Sequence, residues 1–181
     1  MEMMARNITQ VVTDASDDAA RGEMLLAAAY AGIGFGNAGV HLPHGMSYPV
    51  SGMVRDFVPA GYPTEHPIVP HGMSVILNAP AVFRWTAQAN PERHLEAARL
   101  LGAETRGAAP EDAGEILASE IERLMRRVGM PSGLAAVGFS ESDVDALVAG
   151  TLPQHRVTKL APRPAGEAEL RDLFLTAMRY W

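Results

Sequence analysis

Met24-Leu25-Leu26-Ala27-Ala28-Ala29-Tyr30-Ala31-Gly32-Ile33-Gly34-Phe35-Gly36-Asn37-Ala38-Gly39 is the stretch on which the fold turns. Its last six residues match the G-x-G-x-x-G spacing that lets backbone N–H groups meet a pyrophosphate where a strand turns into a helix. That chemistry needs a strand before the first glycine and a helix after the last. Here an alanine-rich helical run comes before, and Val40-His41-Leu42-Pro43 comes after. The glycines are therefore better read as thinning a helix surface for a close neighbour, or as ending the helix in irregular backbone.

The same helical signals continue in both directions. Ser16 is the expected N-cap of a helix from Asp17 to about Ile33, with Asp17 and Asp18 in the first turn, where the helix dipole favours anions. Asn90-Pro91-Glu92 opens a second helix that runs to Gly102, because proline at the first helical position loses only an N–H that has no partner there. Pro110-Glu111-Asp112 opens a third, lasting to about Val128-Gly129. Ser140-Glu141-Ser142-Asp143 has the shape of a capping box before Val144 to Val148, and a last helix is expected from Gly166 to Tyr180. Ser51 to Pro70 and Thr151 to Pro164 carry proline and glycine without periodicity and read as long excursions. Nothing alternates over four or more residues, and the apolar run Val75 to Leu77 suits a buried helix as well as a strand. The expectation is one all-α domain over residues 1–181 with two long loops.

Composition narrows the function. With 48% apolar residues in 181, the chain can bury a core. Fifteen Lys and Arg face 21 Asp and Glu, and the basic residues are scattered apart from Arg126-Arg127, which leaves no stripe to follow a phosphate backbone. No nucleic-acid partner is expected. There is no cysteine, so a metal would have to take nitrogen and oxygen ligands. No apolar run approaches the ~18 residues of a membrane span, and Met1 to Thr13 lacks the pattern of a signal peptide. No membrane partner and a cytoplasmic location are the expectations.

Within this frame one motif is written twice. Pro43-His44-Gly45-Met46-Ser47 returns as Pro70-His71-Gly72-Met73-Ser74, with the histidines 27 residues apart. A Pro-His pair opening a helix sets the imidazole beside unpaired N–H groups and the positive end of the dipole, which favours the neutral, metal-binding ring. The following glycine leaves room for a ligand or another backbone. Two histidines do not close a divalent site, and they could instead be helix-start residues bonded to backbone. His41 and His66 flank the copies and could add a nitrogen, though surface or supporting positions are expected for them; His94 and His155 are expected in solvent. Ser47 and Ser74 lie three residues after the histidines, but no G-x-S-x-G elbow accompanies them, so their hydroxyls are expected to bond within their own helical turns.

The run from Ala31 through Gly34-Phe35-Gly36-Asn37-Ala38-Gly39-Val40-His41-Leu42-Pro43-His44-Gly45-Met46-Ser47-Tyr48-Pro49 resembles the iron-containing (group III) alcohol dehydrogenases, and more narrowly their hydroxyacid–oxoacid transhydrogenase branch. The likeness continues through His66-Pro67-Ile68-Val69-Pro70-His71-Gly72-Met73-Ser74, Pro91 to Glu96, Gly150 to Gln154 and Val157 to Pro164. It implies the helical, dehydroquinate synthase-like C-terminal domain of that family, without the N-terminal α/β domain that binds NAD. It also implies Fe2+, or another divalent ion, held by His44 and His71, with His71 counted among the cofactor-binding residues as well. The family's other two ligands stand on a D-x-x-x-H segment, and none occurs upstream of His44 here.

Many members carry a histidine where this chain has Tyr48, and the tyrosine version resembles the transhydrogenase branch. Tyr48 is the candidate catalytic group, able to orient a substrate or relay a proton, with simple packing as the alternative. The implied activity is hydride transfer between a small hydroxy acid and an oxo acid, 4-hydroxybutyrate and 2-oxoglutarate in the transhydrogenase branch, with the ion as a Lewis acid rather than a redox centre. Arg84, Lys159 and Arg163 are the cations available for a carboxylate. The alternative is a non-catalytic helical module, or a subunit docking on a separate NAD-binding polypeptide; either would expose apolar surface and self-associate.

Overall fold

The computed structural model describes residues 1–181 and contains helices only, as the all-α reading expects. α1 (Glu2–Thr13) and α2 (Asp18–Ala38) form an antiparallel pair joined by a short turn. α1 was not foreseen. Asp17, not Ser16, caps α2, its side chain accepting from the Ala20 N–H at 2.9 Å, while Ser16 bonds back to Asp14. α2 runs through the whole glycine motif, so those glycines are its last turns, and Gly39 ends it at φ +77°. Gly34 and Gly36 face open space, so within this chain nothing uses the room they leave.

At Gly39 the chain turns through 108° into α3 (Leu42–Gly52). After an irregular excursion comes α4 (His71–Thr86), which packs on α3 and is the centre of the domain. α5 (Pro91–Leu101) is capped by Asn90, as the Asn-Pro-Glu start requires, and closed by Gly102 in the left-handed region at φ +111°. α6 (Ala113–Arg127) lies across both α4 and α5, α7 (Val144–Thr151) follows the Ser140/Asp143 capping box, the single turn α8 (His155–Thr158) lies inside the second excursion, and α9 (Glu167–Thr176) returns to α4 and α7.

Leu42, Met46, Val50, Leu77, Val82, Leu147, Leu170 and Phe174 fill the centre with almost no exposure. Each such side chain contributes roughly 1.5–3 kcal/mol on leaving water, which is what holds α3 and α4 in register. α2 is the exception. Of its 21 residues only Ala20 is buried, and Leu25, Tyr30, Ile33 and Phe35 are each more than half exposed. No single helix is long and apolar enough to cross a membrane.

Candidate metal centre

The doubled motif places its two histidines at the starts of the two central helices. Pro43 sits in the first turn of α3, and Pro70 directly precedes His71 in α4. Because α3 and α4 pack side by side, their starts converge, and the His44 and His71 rings lie with centres 5.3 Å apart, tilted by 59°. Neither helix start has a side-chain cap, so the reading in which these histidines serve the backbone fails. Burial, then the neighbouring His71, pushes the His44 imidazolium below its usual range, so the neutral ring is preferred.

Ser47 and Ser74 bond within their turns as expected, to the carbonyls of His44 and His71 at 2.7 and 2.8 Å. Gly45 answers the question of what comes near: a Cβ there would stand 2.7 Å from Thr158 Cγ2, so α8 packs against the start of α3. Gly72 meets nothing.

Tyr48, one turn beyond His44, lies nearly parallel to His71, with ring centres 6.5 Å apart and planes 23° apart. The His71 ring therefore has two rings of α3 near it, those of His44 and Tyr48. His41 caps the start of α3 by position and packs edge-on against Phe83, with burial holding its ring neutral. Its Nδ1 is buried without a partner. His66 and His155 are exposed.

His94 corrects the sequence reading. It is buried, its Nδ1 2.8 Å from the Asn90 carbonyl and its Nε2 2.9 Å from Thr86 Oγ1. The carbonyl can only accept, so Nδ1 carries the proton and the threonine hydroxyl donates to Nε2. The charged neighbours that suggested solvent lie on the other face of α5.

Two of the three candidate cations are engaged elsewhere. Arg84 is held by Glu115 and Glu122, and Arg163 lies over the Trp85 ring at 4.2 Å while donating to the Trp85 carbonyl. Lys159 is exposed and follows Thr158, the residue that touches Gly45.

The pair fits part of a divalent site. Two imidazoles sharing one ion at a metal–nitrogen distance of ~2.1 Å have ring centres roughly 5 Å apart, which is the separation observed. No group of three or more His, Asp or Glu comes together, so these nitrogens supply half of a coordination shell or less. For a dinucleotide the residues do not fit, since the glycine run is helix rather than a phosphate-binding turn.

Comparison with known proteins agrees with this geometry. The family model described as Fe-containing alcohol dehydrogenase family, C-terminal, matches residues 1–178. The chain is 52% identical over 181 residues to the mitochondrial hydroxyacid-oxoacid transhydrogenase of Homo sapiens, covering 100% of this chain and 39% of that protein. It is 52% identical over 179 residues to the probable mitochondrial enzyme of that name from Dictyostelium discoideum, covering 98% and 33%. Among solved structures it is similar to 1,3-propanediol oxidoreductase, with a TM-score of 0.84 at 29% identity over 97% of this chain and 42% of the other.

The chain thus spans about two fifths or less of the curated relatives it matches. The cytoplasmic expectation is overturned, because those relatives are named as mitochondrial proteins. The chain belongs to the Fe-containing alcohol dehydrogenase family, of which it forms the helical C-terminal part.

Proposed function

We propose that this chain is the metal-holding helical half of an iron-dependent oxidoreductase of the hydroxyacid–oxoacid transhydrogenase kind, completed by an NAD-binding α/β part and by two further metal ligands outside these residues. The observation that carries the reading is the convergence of His44 and His71 to a separation that suits one ion. The 52% identity to transhydrogenases over the whole chain supports the reaction class: a small hydroxy acid is oxidised and an oxo acid reduced, with 4-hydroxybutyrate and 2-oxoglutarate as the pair.

Bound there, iron would supply Lewis-acid polarisation of the substrate oxygen. His44 and His71 bring their rings together at the starts of α3 and α4, and burial favours the neutral form of His44. Tyr48 backs His71 and offers its hydroxyl as the group that orients the substrate alcohol. The substrate carboxylate would be met by Lys159, since Arg84 and Arg163 are committed to internal partners. The exposed apolar sides of α2 would be covered by the NAD-binding part, whether that part is the same polypeptide or a separate one, and in its absence by a second copy.

The test is reconstitution of the 181-residue chain with the NAD-binding portion of a transhydrogenase relative, followed by elemental analysis for iron and by assay of 2-oxoglutarate-dependent oxidation of 4-hydroxybutyrate. Turnover and iron that survives purification are expected in the complex, whereas the chain alone is expected to bind divalent ions weakly through its two histidines and to show no turnover. Iron content unchanged by His44→Ala or His71→Ala would refute the ligand assignment, and turnover by the chain alone would refute the requirement for a second half.

A further inference from the structure

His71 stands at the end of the long irregular run from Met53 to Pro70 and is exposed, so nothing in its own strand of sequence fixes where it sits relative to His44. Loop closure leaves the start of such a helix free unless another element anchors it. Beside the apolar anchoring by the buried Val69 and Leu77, the polar anchor is Ser51. It lies in the last turn of α3, seven residues after His44 and so on the same face, and its Oγ is 2.9 Å from Ser74 Oγ and 3.2 Å from the Val69 carbonyl. These two partners bracket His71 in sequence.

Ser51 carries one hydroxyl proton, which is shared between the Ser74 Oγ and the Val69 carbonyl. Ser74 donates its proton to the His71 carbonyl at 2.8 Å, so its oxygen is left to accept from Ser51. Ser74 and Val69 are wholly or almost wholly buried, so these bonds form away from competing water. The file Ser51, Ser74, His71 carbonyl therefore ties the first turn of α4 to the last turn of α3.

We propose that Ser51 is the positioning residue of the histidine pair, setting the separation of His71 from His44 through Ser74 and Val69 without touching the ion. The proposal rests on the metal-holding reading above. The removal of groups that orient metal ligands typically weakens metal affinity by 10–100-fold.

The experiment is Ni2+ titration of the 181-residue chain by calorimetry, with Cu2+ electron paramagnetic resonance to count coordinated ring nitrogens. Ser51→Ala is expected to weaken Ni2+ binding about tenfold or more and to replace a two-nitrogen Cu2+ signal with a one-nitrogen signal, whereas Ser51→Thr, which keeps the hydroxyl, retains both. Ser74→Ala removes the other end of the same bond and should reproduce the loss. Tyr180→Phe removes a different buried bond to α4, from Tyr180 Oη to the Leu77 carbonyl at 2.8 Å, and should leave Ni2+ affinity within about twofold even though it lowers stability.

If the parent chain binds no Ni2+, or binds it equally well after His44→Ala, the metal reading and this proposal fall together. If binding depends on both histidines yet Ser51→Ala and Ser74→Ala bind within about twofold of the parent, the positioning role alone is overturned.

Discussion

Arg84 is gripped from two sides by carboxylates of α6, Glu115 at 2.6 Å and Glu122 at 2.6 Å. The Arg84 hydrogen bond is the main force that draws the Glu115 carboxyl down to about 2 from its ordinary 4.5, with Ser119 adding a second donor. Since the folded value is the lower one, the contribution of Glu115 is fully present above about pH 4.5 and drains away as pH falls toward 2. Glu115→Gln should therefore flatten the fall in stability between those two pH values, measured as urea midpoints across an acid series. Its carboxylate is well exposed to solvent, so the effect should shrink further in high salt. His94 teaches a related lesson about single residues. Glu92, Arg93 and Glu96 around it suggest solvent, but the side of α5 that carries His94 also carries Ala98 and Leu101, and that side faces the core. Local charge counts do not report which face a residue occupies.

Between elements, glycine decides how closely the helices approach. A Cβ at Gly114 in α6 would stand 2.8 Å from the Arg84 carbonyl and 3.1 Å from the Ala87 Cβ. Backbone cannot swing aside as a side chain can. Gly114→Ala gains up to ~1 kcal/mol of helix propensity and incurs ~1–3 kcal/mol of overpacking, so a net loss of about 1 kcal/mol is expected from denaturant unfolding. Gly22→Ala in α2, where nothing lies within 4 Å, should instead be neutral or stabilising by up to ~1 kcal/mol. The doubled motif works at this scale too. Each copy specifies a helix start with an imidazole in the first turn, and the packing of α3 on α4 turns two local features into one centre.

At the scale of the molecule, α2 is apolar on every side and exposed along most of its length, with Leu25 at 75% and Ile33 at 63%. A face of this kind in water drives association. Light scattering of the chain at rising concentration should show growth in size, and the double change Leu25→Glu with Ile33→Lys should reduce it while leaving helical content intact. Scattering that is independent of concentration in the parent chain would contradict the docking role given to α2. The same helix leads directly, through Gly39, to the segment that carries His41 and His44.

Much of the helical architecture was legible in the residues alone. The caps at Asn90 and Ser140 and the proline-opened starts of α5 and of the segment before α6 are local matters, settled by hydrogen bonds that reach at most a few residues along the chain, whereas the end of α2 was expected at about Ile33 and lies at Ala38. The identity of His44 and His71 as a pair was also readable, because the motif is repeated. What only the tertiary structure decided was the distance between them, the placing of Tyr48 against His71, the burial of His94 and the bridge from Ser51 across the excursion to Val69 and Ser74. Those depend on how α3, α4 and α6 pack, and packing is set by the summed burial of side chains far apart in sequence, which no local pattern encodes.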